Sequence, residues 1–211
     1  MMLKKLTLFH FCFFMFQSLL GQVSYGLKGG LNISSSRLSE NILNLKPKCS
    51  FHAGAFFEFA AIKNLSVRTE FLYSRKGYLH TSLPDSSSYA IKRFNYISVP
   101  VLISVPVVPK INILFGPEIS ILTSAKSKYK GTIHDWSRPM SKIDKAIDLG
   151  LSFQFTNDFG IELLYSYGLK GSEIWRYTDF NGAIIREEKI GANQVLQIGL
   201  LYKLPHRKGK V

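Results

Sequence analysis

The residues of this 211-residue chain best able to do chemistry are charged side chains set into otherwise alternating apolar and small segments. They are Lys28, His52, Glu58, Arg68, Glu70, Glu118, Asp148, Glu162 and Lys203. A histidine beside a carboxylate can move protons, so His52 with Glu58 or Glu118 would make a general acid–base pair acting on lipid or peptide. The same residues can instead neutralise one another inside a narrow enclosure, where every buried charge needs a partner. The second reading is favoured, because no motif marks a nucleophile and a lone histidine is weak support for catalysis. Arg68 and Glu70 lie two apart on one face, so both are expected to find partners on neighbouring strands. The sequence has no phosphate-cradling glycine loop, metal-ligand spacing or nucleophile elbow. An enzyme is therefore not expected, nor a metal or cofactor.

What must position these residues is β-structure. Odd positions Val23, Tyr25, Leu27, Leu31 and Ile33 are apolar, while Ser24, Gly26, Lys28, Gly30 and Asn32 between them are small or polar. Successive side chains of a strand point to opposite faces, so this pattern has one apolar and one polar face. It recurs seven times, through Phe51–Phe57–Phe59, Leu65–Phe71–Tyr73, Ile97–Ile103–Val105, Ile111–Phe115–Ile121, Ile147–Leu151–Phe155, Phe159–Leu163–Tyr167 and Leu196–Leu200–Leu204. The connections at 60–64, 106–110 and 156–158 are short, whereas those between, such as 81–93 and 124–143, are long, polar and basic. Strict short–long alternation predicts an all-β, eight-stranded antiparallel up-and-down barrel with one elaborated end.

Side-chain volume predicts which face is inside. The polar face carries Gly26, Gly30, Gly54, Gly116, Gly150, Gly160, Gly168 and Gly199. An eight-stranded interior has room for little more than its own side chains, so small residues and paired charges suit the axis and bulky hydrocarbon suits lipid. Tyr25, Tyr73, Tyr165, Tyr167 and Tyr202 belong to the apolar set and fall near segment ends, as a membrane-interface girdle would require. A secreted soluble barrel with its apolar face inside is the competing arrangement.

Met1-Met2-Leu3-Lys4-Lys5 followed by the apolar run 6–20 has the layout of a secretory signal peptide, placed at 1–21. The barrel then occupies 22–204, and 205–211 form a basic tail. Loss of the leader removes Cys12 and leaves Cys49 alone, which excludes an internal disulfide. The net charge of +13 comes largely from connections rather than from one helix or patch, which argues against nucleic acid and for an anionic membrane surface.

Gly26-Leu27-Lys28-Gly29-Gly30-Leu31-Asn32 resembles the first strand of the PorT-like outer-membrane β-barrel proteins of Bacteroidota. Glu70-Phe71-Leu72-Tyr73-Ser74-Arg75-Lys76-Gly77-Tyr78, Tyr96-Ile97-Ser98-Val99-Pro100, Phe115-Gly116-Pro117-Glu118 and Gln197-Ile198-Gly199-Leu200-Leu201-Tyr202-Lys203 follow in the expected order. The resemblance implies residence in the cell outer membrane, delivery by the barrel-insertion machinery, and in some members a link to secretion or surface assembly. Family chains commonly end in an aromatic within the last strand, whereas this one continues past Leu204. The expected function is a structural or interaction barrel with a plugged lumen. Its expected partners are outer-membrane lipid, with lipopolysaccharide as the candidate for its basic loops, and a protein of unknown identity. A narrow pore or small-ligand conduit is the alternative, and an outer-membrane enzyme the second alternative.

Overall fold

A computed structural model describes residues 23–37, 44–62, 64–81, 89–181 and 183–205. The expected leader and residues 206–211 of the tail lie outside this set. The described residues contain β1 (Val23–Arg37), β2 (Asn44–Ile62), β3 (Leu65–Thr81), β4 (Tyr89–Val108), β5 (Ile111–Tyr129), β6 (Thr132–Asp135), β7 (Ile143–Gln154), β8 (Phe159–Gly168), β9 (Glu173–Thr178), β10 (Ile184–Ile190) and β11 (Ala192–Lys203). None of them is helical.

Hydrogen-bonded neighbours run β4-β3-β2-β1-β11-β8-β7-β5, and β4 also pairs with β5, which closes the ring. Eight strands, each antiparallel to both neighbours, therefore form the barrel that the alternation predicts. Closure leaves the ring no free edge, a condition for crossing hydrocarbon where no water can satisfy the backbone. The short β6 lengthens one rim, and β9–β10 form a separate hairpin.

The face assignment follows from exposure. Leu31, Phe71, Leu149 and Leu200 are 59, 52, 57 and 61 % exposed, while Arg68, Glu70, Asp148 and Glu162 on the interleaved face are no more than 1 % exposed. A water-soluble barrel would reverse that order. Rings bound the outer apolar band at both ends. Tyr25 packs on Phe57 at 6.5 Å and Phe159 on Tyr202 at 4.8 Å near the short turns, and Phe51 on Tyr73 at 5.9 Å near the far rim. Glycine makes room inside at two places. A Cβ on Gly26 would stand 2.7 Å from the Phe56 ring, and one on Gly150 would stand 2.7 Å from Leu164 Cδ1.

The short connections fall where expected. Pro109 and Lys110 alone join β4 to β5, with Lys110 at a φ of 73°. The long ones differ from expectation. β3 continues to Thr81, β4 already begins at Tyr89, and β5 runs on to Tyr129, so parts of the expected loops 81–93 and 124–143 are strand. The last long connection holds the β9–β10 hairpin. Beyond the lipid band neither face meets hydrocarbon, so pairing continues without the apolar alternation that would announce it.

Candidate functional site: the charged lumen

All nine sequence-predicted charged residues point into the barrel, and the register sorts them by height. Toward the short turns, Lys28 Nζ donates to Glu70 Oε2 at 2.7 Å and to Glu162 Oε1. Arg68 Nη1 donates to the other Glu162 oxygen and lies 3.7 Å from Glu70, while Nη2 is 3.6 Å from Glu58. Glu58 also accepts from the Ser66 hydroxyl at 2.6 Å and meets Lys203 at 4.0 Å. Six of the nine thus form one network across β1, β2, β3, β8 and β11. Glu58 and Lys203, at the lower mouth, are its half-buried members. On the β4, β5 and β8 side of the ring, Leu102, Leu114 and Leu164 form a compact apolar cluster inside the lumen.

A second network lies toward the long loops, and of its three charged members sequence reasoning named only Glu118. Lys76 Nζ donates to Glu118 Oε1 at 2.7 Å and lies 3.7 Å from Asp144. Ser120 donates to Glu118 at 2.7 Å, and Asn193 Nδ2 to Asp144 at 2.8 Å. Lys76 lies past Tyr73, where the third apolar run ends, and Asp144 lies before Ile147, where the sixth begins, so neither falls within the alternation itself. Even-numbered parity from Arg68 through Ser74, and from Asp148 back through Ala146, places both inside. Asp148, level with Gly116 and Ser166 in the register, makes no ion pair among the described residues.

His52 belongs to neither acid–base pair considered for it. Its Nδ1 sits 2.8 Å from Asn32 Oδ1, and Asn32 Nδ2 donates onward to Ser74 at 3.0 Å. Glu58 and Glu118 are each held by a cation instead. The dyad that would begin an enzymatic reading is not assembled.

Above the charges the lumen turns aromatic. Tyr78, Phe94, Tyr96, Ala125 and Met140 form a buried cluster, with Tyr78 and Phe94 edge to face at 5.9 Å. Lys76 Nζ lies 5.2 Å below the Tyr96 ring. At the mouth, the Tyr78 hydroxyl donates to Glu173, and Lys92 Nζ stands 2.9 Å over the Trp136 ring. Burial, and then the Glu173 carboxylate, push the Tyr78 phenol well above its usual range. Burial lowers Lys92 to about 8 although Glu173 pulls the other way.

Residues 16–172 match the family described as outer membrane protein beta-barrel domain. No curated protein matches the chain. Among solved structures it is similar to Ail, the attachment invasion locus protein of Yersinia pestis, at 14 % identity and a TM-score of 0.50, over 87 % of this chain and 99 % of that one. It is also similar to Neisserial surface protein A at 13 % identity and a TM-score of 0.54, over 86 % and 99 % of the two chains. Ail has a further structure in complex with the heparin analogue sucrose octasulfate, at 15 % identity and a TM-score of 0.50 over 87 % and 99 % of the chains. Identities this low establish the fold alone. The closed eight-stranded ring, its lipid-facing band and a family match over most of the sequence agree: the chain is an outer-membrane protein and belongs to the outer membrane protein beta-barrel domain family.

Proposed function

We propose that the chain is a plugged, non-enzymatic barrel of the PorT-like branch, with a structural or interaction role in secretion or surface assembly. The observation that carries this reading is the filled lumen. Arg68, Phe56, Lys76, Phe94 and Tyr96 are among the largest fully buried side chains of the molecule, and all lie inside the ring. Filling of this kind in an eight-stranded barrel argues against free conduction. Two surface features support an interaction role. The β9–β10 hairpin beyond the membrane displays Trp175, Tyr177, Ile184 and Ile185 to solvent, an apolar surface suited to a protein partner. The basic residues at the same end suit anionic glycolipid, lipopolysaccharide above all, and Ail, of similar fold, is known in complex with a sulfated sugar.

Planar-bilayer recording of the purified protein tests the proposal. The expected result is no steady unitary current. Stable, size-selective currents would favour the conduit and end the plugged reading.

A further inference from the structure

Four adjacent strands carry a cation on the outer wall just beyond the apolar band: Lys48 on β2, Arg75 on β3, Arg93 on β4 and Lys126 on β5. Alternation fixes the direction of Arg75 and Arg93, while Lys48 is turned outward by the irregularity in β2 between Pro47 and His52, which sets Pro47 level with lumen-facing Tyr78. Arg75 follows outward Tyr73 by two residues, and Arg93 precedes outward Asn95 and Ile97. In the β4–β5 register Arg93 stands directly opposite Lys126. One extra residue at Thr123 shifts β5 by one, which is why Lys126 shares the face of Ile121.

Like charges opposite one another on one face repel. Lys126 has Asp135 across the β5–β6 pair, but Lys48, Arg75 and Arg93 make no ion pair among the described residues. The Arg75 guanidinium is also fixed in place. Its Nε donates to Asn95 Oδ1 at 3.0 Å and its carbon lies 5.0 Å over the Phe51 ring. The planar fork is therefore pre-set against the wall at headgroup height, a geometry that suits bidentate phosphate binding. Lys48, Arg75 and Arg93 sit half-buried on the wall beside lipid rather than at loop tips, so an acceptor in the membrane reaches them more directly than a soluble polyanion would.

Resting on the reading of the chain as an interaction barrel in contact with surface glycolipid, we propose that Lys48, Arg75 and Arg93, with Lys126 beside them, clamp the phosphate groups of an outer-leaflet glycolipid. The clamp supplies anions to Lys48, Arg75 and Arg93, which make no ion pair among the described residues.

The test titrates the full-length, detergent-solubilised protein with bisphosphorylated lipid A and with the same glycolipid stripped of phosphate. Native mass spectrometry reads the lipid-bound fraction. Each basic group near a lipid surface contributes about fivefold in affinity. Lys48→Gln/Arg75→Gln/Arg93→Gln should therefore lose at least about tenfold for the phosphorylated lipid. Lys142→Gln/Lys170→Gln/Lys189→Gln, which removes the same charge from a separate basic recess, should lose less than about twofold. Should the first triple fail to fold by gel heat-modifiability, Arg93→Gln alone relieves a repulsion and still carries about fivefold. Equal losses in the two triples would overturn the clamp while leaving the glycolipid reading intact. Equal binding of both lipids by the unaltered protein, with no loss in either triple, would overturn both.

Discussion

Near the short turns three cations, Lys28, Arg68 and Lys203, meet three carboxylates, Glu58, Glu70 and Glu162. Toward the long loops Lys76 alone among the described residues pairs with Glu118 and Asp144, while Asp148 on the same wall has no cation. The lower network is balanced and redundant, since each buried carboxylate there keeps at least one cation if another is lost. The upper network depends on a single ammonium under an aromatic roof. Equal burial therefore does not mean equal tolerance of substitution.

The largest effect is expected from removing that ammonium. Lys76→Met strands two buried carboxylates and should cost about 3–5 kcal/mol, seen as a lower urea midpoint for the micelle-embedded protein. Arg68→Met leaves Lys28 and Lys203 in place and should cost about 1–3 kcal/mol. Adding Glu118→Gln to Lys76→Met should recover part of the loss, because the pair rather than either charge is what the lumen tolerates. An Arg68 loss exceeding the Lys76 loss would break the contrast between the two halves. Asp148→Asn gives the smallest effect, within about 1 kcal/mol of the unaltered protein or slightly stabilising, because it removes a surplus buried charge. Equilibrium unfolding checks the sign, and a large destabilisation would mean that Asp148 has a partner role the ion pairs do not reveal.

The alternation made most of the barrel legible, because lipid on one side and a narrow axis on the other impose opposite demands on every second residue. Lys28, Arg68, Glu70 and Glu162 could be placed in the lumen on parity alone. Their pairing could not, since the stagger between strands decides that Lys28 of β1 reaches Glu70 of β3 and Glu162 of β8. Legibility failed where hydrocarbon ends. Past Tyr73, Ile97 and Ile121 the outer faces of β3, β4 and β5 turn polar while their inner faces turn aromatic, and the extra residue at Thr123 reverses which face is inward. Lys76, the Phe94 and Tyr96 roof, and the outer cation row all lie in or next to that stretch. The β9–β10 hairpin, at residues 173–190, carries no repeated alternation that would separate it from a loop.

Fluorescence of Leu149→Trp in vesicles of brominated lipid tests the orientation of the wall most directly. Leu149 lies mid-band and is 57 % exposed, whereas native Trp136 and Trp175 stand beyond the rim. Emission from the introduced indole should be blue-shifted and strongly quenched by brominated acyl chains, while the unaltered protein is barely quenched. A water-like, unquenched signal from Leu149→Trp would place the leucine row away from lipid and contradict the account.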